Sequence, residues 1–227
     1  PPPPPPPPTP RPPPTPTPMS CRRQRQMCIR DSVDTERVVA LGHSWGATTI
    51  LQLLGATPSD QKLRRQCEDP RNPNRNLSWV LQCSFLRSAD RAGGTDPRIK
   101  AGVAVSPPMR LLFDRESGKA MGGTLLLVSG TKDWVVPSGP EALVPMARLK
   151  TFVGGQHQFV LAEGGDHFNL RSPLEDGGGP LRGLILAWVN GAFQASADGG
   201  PLPQDGWGDE RFRLINATAA LKQVDTQ

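Results

Sequence analysis

The sequence is short of histidine and of long apolar runs, and each shortage narrows what the protein can do. Only three histidines occur in 227 residues, and no grouping of Cys, His, Asp and Glu has the spacing of a metal site. No apolar run reaches the ~18 residues that a membrane-spanning helix needs. No glycine-rich loop is followed by a lysine in the pattern that holds nucleotide phosphates. The sequence therefore predicts no metal, no cofactor and no membrane span.

Basic charge is also scarce once the amino-terminal part is set aside. Residues 1–32 hold five arginines against one aspartate, so they account for +4 of the formal net charge of +5. The rest of the chain is nearly neutral and shows no basic stripe of the kind that follows a nucleic-acid backbone. We therefore expect no nucleic-acid partner.

Residues 1–32, which we call the arm, differ in composition from the rest. Fourteen of the 27 prolines lie in residues 1–18. Because proline fixes φ and lacks an N–H, this stretch is predicted to be polyproline II or disordered. It is either low-complexity sequence without a role or a ligand for an aromatic-lined groove. Residues 22–32 have no regular periodicity and resemble translated sequencing-adapter fragments, so the arm is predicted to be foreign to the gene, which would enter at about Val33.

From Val33 onward, short apolar runs alternate with helical segments, as in a parallel α/β sheet. The predicted domains are a disordered arm at 1–32, an α/β domain at 33–196 and a poorly determined tail at 197–227. Strands are predicted at 38–41, 99–105, 124–128 and 159–162, and helices at 47–54, 77–88, 140–150 and 180–194.

One motif lies between the first predicted strand and the helix that follows it. Residues Gly42, His43, Ser44, Trp45 and Gly46 fit the pattern G-x-S-x-G, which in this context forms a sharp turn that lifts the serine hydroxyl clear of the sheet. The two glycines are expected to relieve crowding in that turn. The start of the helix directs N–H groups to the place where negative charge develops, and the N–H of Trp45 is the predicted oxyanion donor.

A serine hydroxyl needs a base to take its proton and an acid to orient that base. His43 lies inside the turn itself, where we expect it to pack or hydrogen-bond beneath the turn. His157 precedes the fourth predicted strand at its amino end. His167 follows that strand at its carboxyl end, where sites form in α/β sheets. We therefore predict His167 as the base for Ser44.

The predicted acid is Asp133, which follows the third strand at the same edge of the sheet. Asp114 lies nine residues beyond its strand, and Asp166 adjoins His167 too closely in sequence to reach the inner ring nitrogen well. The resulting order of Ser44, Asp133 and His167 is the order expected of α/β-hydrolases.

Three aromatic residues adjoin these positions, namely Trp45, Trp134 and Phe168. They could line an apolar pocket for an acyl or alkyl group. Core packing is the alternative for each of them.

The stretch from Val33 to about Pro173 resembles the α/β-hydrolase family. It is most similar to bacterial predicted dienelactone hydrolases, near the platelet-activating-factor acetylhydrolase and polyester-hydrolase groups. The resemblance implies a mostly parallel sheet flanked by helices and a serine hydrolase that cleaves carboxylic esters through an acyl-enzyme, without a cofactor. Authentic dienelactone hydrolases carry a cysteine nucleophile, so Ser44 favours serine esterase chemistry. The matching segments are 42–47, 96–101, 105–108, 127–133 and 165–167, within a stretch of about three fifths of the chain.

In such hydrolases several strands precede the strand that leads to the serine, and a loop after one of them supplies a second oxyanion donor. No strand pattern precedes Val38 here. We therefore expect the carboxyl-terminal portion of an α/β-hydrolase fold, with its amino-terminal strands missing. Loss of one donor lowers turnover by about 10²–10³, so the activity of this fragment is in question.

Several alternatives stay open. The same fold could support an acyltransferase or a serine peptidase, or the domain could be inactive and carry a proline-rich interaction segment. Cys67 and Cys83 form either a disulfide, which would indicate an exported or periplasmic protein, or two buried thiols of a cytoplasmic one. The expected partner is a small-molecule ester, and neither the natural ester nor the oligomeric state follows from the sequence.

Overall fold

The computed structural model describes residues 38–69, 71, 75–87, 94–149, 157–170, 179–194 and 212–224. All of them belong to the unit that runs from Glu36 to Gln227, one of the two into which contacts divide the chain. The arm, and any segment before Val38, lie outside the described residues. No helix of the described ranges is long and apolar enough to cross a membrane.

The described residues form one five-stranded sheet whose strands follow one another in chain order. The first four strands are parallel, and the fifth pairs with the fourth in the antiparallel direction. The mostly parallel α/β architecture predicted from the alternating pattern is thereby confirmed. The strands are β1 (Val38–His43), β2 (Ile99–Val105), β3 (Thr124–Gly130), β4 (His157–Glu163) and β5 (Arg213–Asn216).

Within the described residues six α-helices flank this sheet, and a local signal explains where one of them begins. The Asn76 side chain accepts a hydrogen bond from the Trp79 N–H at 2.8 Å, as an N-cap residue does. The predicted helix at 77–88 ends sooner, at Ser84, and continues as a 3₁₀ turn. The helices are α1 (Trp45–Leu53), α2 (Asp60–Cys67), α3 (Leu77–Ser84), α4 (Val144–Arg148, preceded by a π-turn at Gly139–Leu143), α5 (Arg182–Gln194) and α6 (Thr218–Val224).

Both faces of the central strands are covered. Every residue of β3 is buried, and its alternating side chains divide between two apolar clusters. Leu125 and Leu127 pack in the cluster that contains α1, whereas Leu126 and Val128 pack in the cluster that contains Trp188 of α5. This two-sided burial explains why the strand is apolar throughout, as buried parallel strands are.

The tail predicted to be poorly determined contains two ordered elements, β5 and α6, so the domain extends beyond residue 196. Leu161 of β4 lies opposite Ile215 of β5, and the Phe159 N–H donates to the Thr218 hydroxyl at 3.0 Å. Leu221 is buried in the core. A strand of four residues gives almost no sequence signal, because pairing with β4 is what stabilises it.

Cys67 and Cys83 form a disulfide, with their Cα atoms 5.6 Å apart. The sequence left open a disulfide or two buried thiols, and the structure has the disulfide. The bridge joins the end of α2 to the last turn of α3 across a polar segment that is only partly described. Closing a loop of this length stabilises a fold by about 3 kcal/mol.

Candidate active site

The turn between β1 and α1 holds Ser44 in an unusual backbone conformation. Its φ of 55° lies in the left-handed region, which costs a residue other than glycine about 1–3 kcal/mol. The Ser44 N–H donates to the Val105 carbonyl at 2.8 Å, so the neighbouring strand anchors the turn. Such strain in a residue between a strand and a helix is typical of a functional position.

The two glycines of the turn are not equivalent. A Cβ on Gly42 would lie 2.3 Å from the carbonyl oxygen of Gly46, whereas a Cβ on Gly46 would meet no atom within 4 Å. The expectation that both glycines relieve crowding is therefore wrong for Gly46. That residue lies in the first turn of α1 with its Cβ direction open, and only the approach of the α1 backbone to Gly42 requires a glycine.

A chain of two hydrogen bonds links the three residues predicted to act together. The His167 Nε2 lies 3.0 Å from the Ser44 Oγ, and the His167 Nδ1 lies 3.0 Å from the Asp133 Oδ2. The three side chains follow β1, β4 and β3, whose carboxyl ends meet at one edge of the sheet. His167 and Asp133 are both buried, with exposed fractions of 7% and 4%, so solvent screens their interaction little.

Asp133 is held in its ionised form by its neighbours. Its Oδ1 accepts hydrogen bonds from the Val135 and Val136 N–H groups at 3.0 and 2.7 Å. Burial alone would raise the pKa of Asp133, but the bonds from His167, from the Val136 N–H and the nearby Ser106 hydroxyl together hold this pKa below its usual range. A charged carboxylate beside the Nδ1 favours the tautomer that leaves Nε2 ready to accept a proton.

Ser106 is a site residue that sequence reasoning missed. It follows β2, it is fully buried, and its φ of 49° again lies in the left-handed region. Within the described residues the Ser106 hydroxyl makes no hydrogen bond with good distance and angle. It nevertheless lies close enough to Asp133 to stabilise the charged carboxylate. The sequence feature that could have indicated Ser106 is its place between a buried strand and Pro107, at the same edge of the sheet as Ser44.

The other two candidate acids serve local turns instead. Asp166 accepts the N–H groups of Phe168 and Asn169, both at 2.8 Å. Asp114 accepts the N–H and the hydroxyl of Ser117, both at 3.1 Å. These bonds cap turns in the manner usual for aspartate.

The two remaining histidines lie in different places. The His43 ring packs against the His167 ring, with ring centroids 4.7 Å apart, so His43 borders the site. His157 is the first residue of β4 and lies opposite Leu125, at the end of the strand remote from His167. Burial lowers the pKa of His157 to about 4, so this residue is neutral at physiological pH.

The neutral His157 gives the fold a pH dependence. Between pH 6.5 and about 4 the unfolded chain binds a proton at this residue that the folded chain does not, so stability is lost as pH falls through that window. From pH 7 to pH 5 we expect His157 to account for a loss of about 2 kcal/mol in the free energy of unfolding. Urea unfolding at both pH values, in the wild type and in His157→Gln, measures this. An equal pH slope in the two proteins would contradict the assignment.

The three aromatic residues do not form one cluster of rings. The ring centroids of Trp134 and Phe168 lie 6.1 Å apart, and the two residues are 64% and 56% exposed. Phe168 also meets the His167 ring edge-on at 5.8 Å. The Trp45 ring instead stacks on Phe85 at 5.8 Å and packs against the core.

A cavity of about 340 Å³ lies beside the serine turn, with an apolar lining to which none of the three aromatic residues contributes. It lies against His43, which in turn packs on His167. Its lining includes Leu41, His43, Val105, Leu170, Leu181 and Ile185.

One oxyanion donor can be assigned within the described residues. Trp45 is the first residue of α1, so its N–H has no partner within the helix. The second donor of such hydrolases comes from a loop before the strand that leads to the serine, and all residues before Val38 lie outside the described residues.

No group of three or more His, Cys, Asp and Glu side chains that could hold a metal ion occurs in the described ranges. A scan against models of known protein families found no match, and a search of curated proteins found none either. The function of this site must therefore be argued from its geometry.

Proposed function

We propose that this chain is a serine hydrolase of the α/β-hydrolase type that cleaves carboxylic esters. The observation that carries the proposal is the hydrogen-bonded chain from Ser44 through His167 to Asp133. A serine on a strained strand-to-helix turn, a base within 3.0 Å and a charged acid behind that base meet the requirements of nucleophilic catalysis. The sequence resemblance to α/β-hydrolases supports the same assignment.

In the first half of the proposed reaction, the Ser44 Oγ attacks the ester carbonyl while the His167 Nε2 takes the hydroxyl proton. The C–O bond to the alcohol then breaks, and His167 returns its proton to the departing alkoxide. The acyl group stays on Ser44 as an ester. Asp133 accepts the Nδ1–H throughout and stabilises the imidazolium that forms.

In the second half, water attacks the acyl-enzyme while His167 takes its proton. The bond to Ser44 breaks, the serine oxygen recovers the proton, and a carboxylic acid leaves. In both halves the Trp45 N–H and the amino end of α1 stabilise the negative charge on the carbonyl oxygen.

The surroundings of the site support an apolar substrate. Trp134 and Phe168 expose their rings directly beside Asp133 and His167, and exposed aromatic surface next to a site commonly binds apolar groups. We propose that these two rings contact the acyl or alkyl part of the ester. Trp45, the third aromatic residue predicted for the pocket, contributes its backbone N–H.

The disulfide supports a proposal about compartment. Disulfides persist in oxidising surroundings and are rare in the cytosol. The Cys67–Cys83 bridge therefore favours an exported protein.

Labelling with a fluorophosphonate tests the proposal, because this reagent reacts with an activated serine even where turnover is slow. We expect stoichiometric labelling of Ser44, located by peptide mass spectrometry. Ser44→Ala should abolish labelling, and His167→Ala should slow it at least about 10³-fold, since the base is lost.

The matched control is Ser84→Ala, because Ser84 is exposed on α3 and its hydroxyl donates to the Leu81 carbonyl of the same helix. This variant should label like the wild type. Circular dichroism and a cooperative thermal transition establish that each protein is folded. A folded wild type that does not label would refute the proposal for this chain.

A further inference from the structure

A second cavity, of about 310 Å³, collects positive charge from three separate parts of the fold. Lys62 comes from α2, Arg110 from the segment after β2, and Arg148 from the end of α4. The rest of the lining is apolar and consists of Pro140, Val144 and Pro145. We call Lys62, Arg110 and Arg148 the basic pocket.

We propose that the basic pocket binds a phosphate group, either as inorganic phosphate or as part of a small organic phosphate. This inference is independent of the proposed ester hydrolysis, because it uses none of the residues of that site. It rests on the convergence of three cations on one cavity, on the balance of charge around them and on the rigidity of the elements that carry them.

Three cations line the basic pocket and two carboxyl groups face Lys62; because burial raises the pKa of one of these, Glu141, positive charge is in excess there. Arg110 and Arg148 form no ion pair with any residue that the structure describes. The acidic groups that face Lys62 are Asp114 and Glu141. Asp114 is occupied by the N–H groups of residues 116 and 117 and by a serine hydroxyl, and Glu141 is buried to 1% exposure beneath the surface.

Burial is the main reason why the pKa of Lys62 is lowered to about 8. Among the neighbouring charges, the Asp114 carboxylate raises this pKa, Arg148 and Arg110 lower it, and Glu141 raises it. A bound dianion would offset both the burial and the repulsion. By linkage it would therefore raise the pKa of Lys62, just as protonation of Lys62 would strengthen anion binding.

The elements of the basic pocket are fixed to one another without any ligand. The Glu141 Oε2 accepts hydrogen bonds from the Arg110 N–H at 3.1 Å and from the Gln82 Nε2 at 2.8 Å. Gln82 in turn accepts the Leu111 N–H at 2.8 Å. This buried network ties the segment that carries Arg110 to α3 and to the π-turn that carries Pro140 and Glu141.

Helix α2, which carries Lys62, is also fixed to its neighbours. The Lys62 ammonium donates to the Phe113 carbonyl, and the Cys67–Cys83 disulfide joins α2 to α3. Because the backbone elements that carry the three cations are already fixed to one another, an anion does not have to bring these elements together on binding.

The chemistry of the three cations favours phosphate over a single carboxylate. An arginine fork matches two oxygens of a phosphate, and a lysine adds a compact charge with three donors. A phosphate dianion offsets two of the three positive charges, whereas one carboxylate offsets a single charge. The cavity volume leaves room for an organic group attached to the phosphate.

Isothermal titration calorimetry with inorganic phosphate, at an ionic strength of about 0.15 M and pH 7, tests the proposal. We expect saturable binding of one phosphate per chain. Arg110→Gln and Arg148→Gln should each raise the Kd about tenfold, which is the effect of losing one charged hydrogen-bond donor. Wild-type affinity should fall as pH rises through about 8, because Lys62 then loses its charge.

The matched control is Arg65→Gln, since Arg65 is exposed on the same helix as Lys62 and does not line the pocket. It makes the same change of charge and should leave the Kd within about twofold, because exposed charges are largely screened. As a second readout, the NMR titration of Lys62 should show its pKa rising when phosphate is present. Arg148 is exposed, so Arg148→Gln keeps the test informative even where Arg110→Gln impairs folding.

Three results would overturn the proposal. Absence of saturable binding at millimolar phosphate would show that the basic pocket is not a phosphate site. An equal loss of affinity in Arg65→Gln would indicate diffuse attraction to a basic surface. Binding of citrate without binding of phosphate would replace the proposed ligand class. If inorganic phosphate binds at millimolar concentration and an organic phosphate displaces it at a lower concentration, the phosphate assignment stands and the attached organic group adds affinity.

Discussion

Asp133→Asn is expected to lower the kcat/KM for a p-nitrophenyl ester by about 10⁴, the size of effect that loss of an orienting carboxylate has in serine hydrolases. The change keeps the size of the side chain. It removes the charge that stabilises the His167 imidazolium and offers an amide where His167 now meets the Oδ2 at 3.0 Å. An amide N–H₂ at that position favours the wrong tautomer of the ring, with the proton on Nε2.

The same exchange at Asp114 provides the control. Asp114→Asn retains the oxygen that accepts the Ser117 N–H and hydroxyl, and it lies outside the proposed catalytic chain, so activity should stay within about twofold of the wild type. Thermal unfolding of both variants separates loss of activity from loss of fold. A similar loss of activity in both variants, or none in Asp133→Asn, would remove Asp133 from its proposed role.

How much of the fold the sequence predicts depends on where the stability of each element comes from. The strand at Ile99–Val105 was predicted with its observed bounds, because a continuous apolar run ends at a serine and two prolines. In β4 the first residues, His157 and Gln158, are polar, so the predicted strand began two residues late. The fifth strand was missed, because it depends on pairing with β4 and on Leu221 packing in the core.

The candidate site shows the same division. Ser44, Asp133 and His167 could be brought together from sequence, because parallel strands deliver the residues that follow them to one edge of a sheet. The ring contact between His43 and His167 and the position of Ser106 next to Asp133 could not. Both contacts join side chains that follow different strands, and the periodicity of apolar residues along one strand does not predict how closely such side chains approach.

Gly42→Ala should disrupt the serine turn, whereas Gly46→Ala, four residues on in the same turn, should be tolerated. At Gly42 a methyl group would lie 2.3 Å from the Gly46 carbonyl oxygen and 2.7 Å from the Ala47 nitrogen. Backbone atoms cannot rotate away, so the turn must shift. We expect a loss of about 3 kcal/mol or more in the free energy of unfolding and a fall of about 10²-fold in the rate of Ser44 labelling, since a displacement of about 1 Å costs that much.

Gly46→Ala carries the same methyl group into open space, since nothing lies within 4 Å of its Cβ position. Alanine is the better helix former by about 1 kcal/mol, so this variant should be more stable than the wild type and should keep its labelling rate. Urea unfolding and fluorophosphonate labelling of the two variants therefore give changes of opposite sign in stability. Equal destabilisation by both would mean that the motif needs its second glycine for a reason other than the packing between β1 and α1. Tolerance of both would mean that Ser44 is held by its bond to the Val105 carbonyl more than by the close approach of the α1 backbone to Gly42.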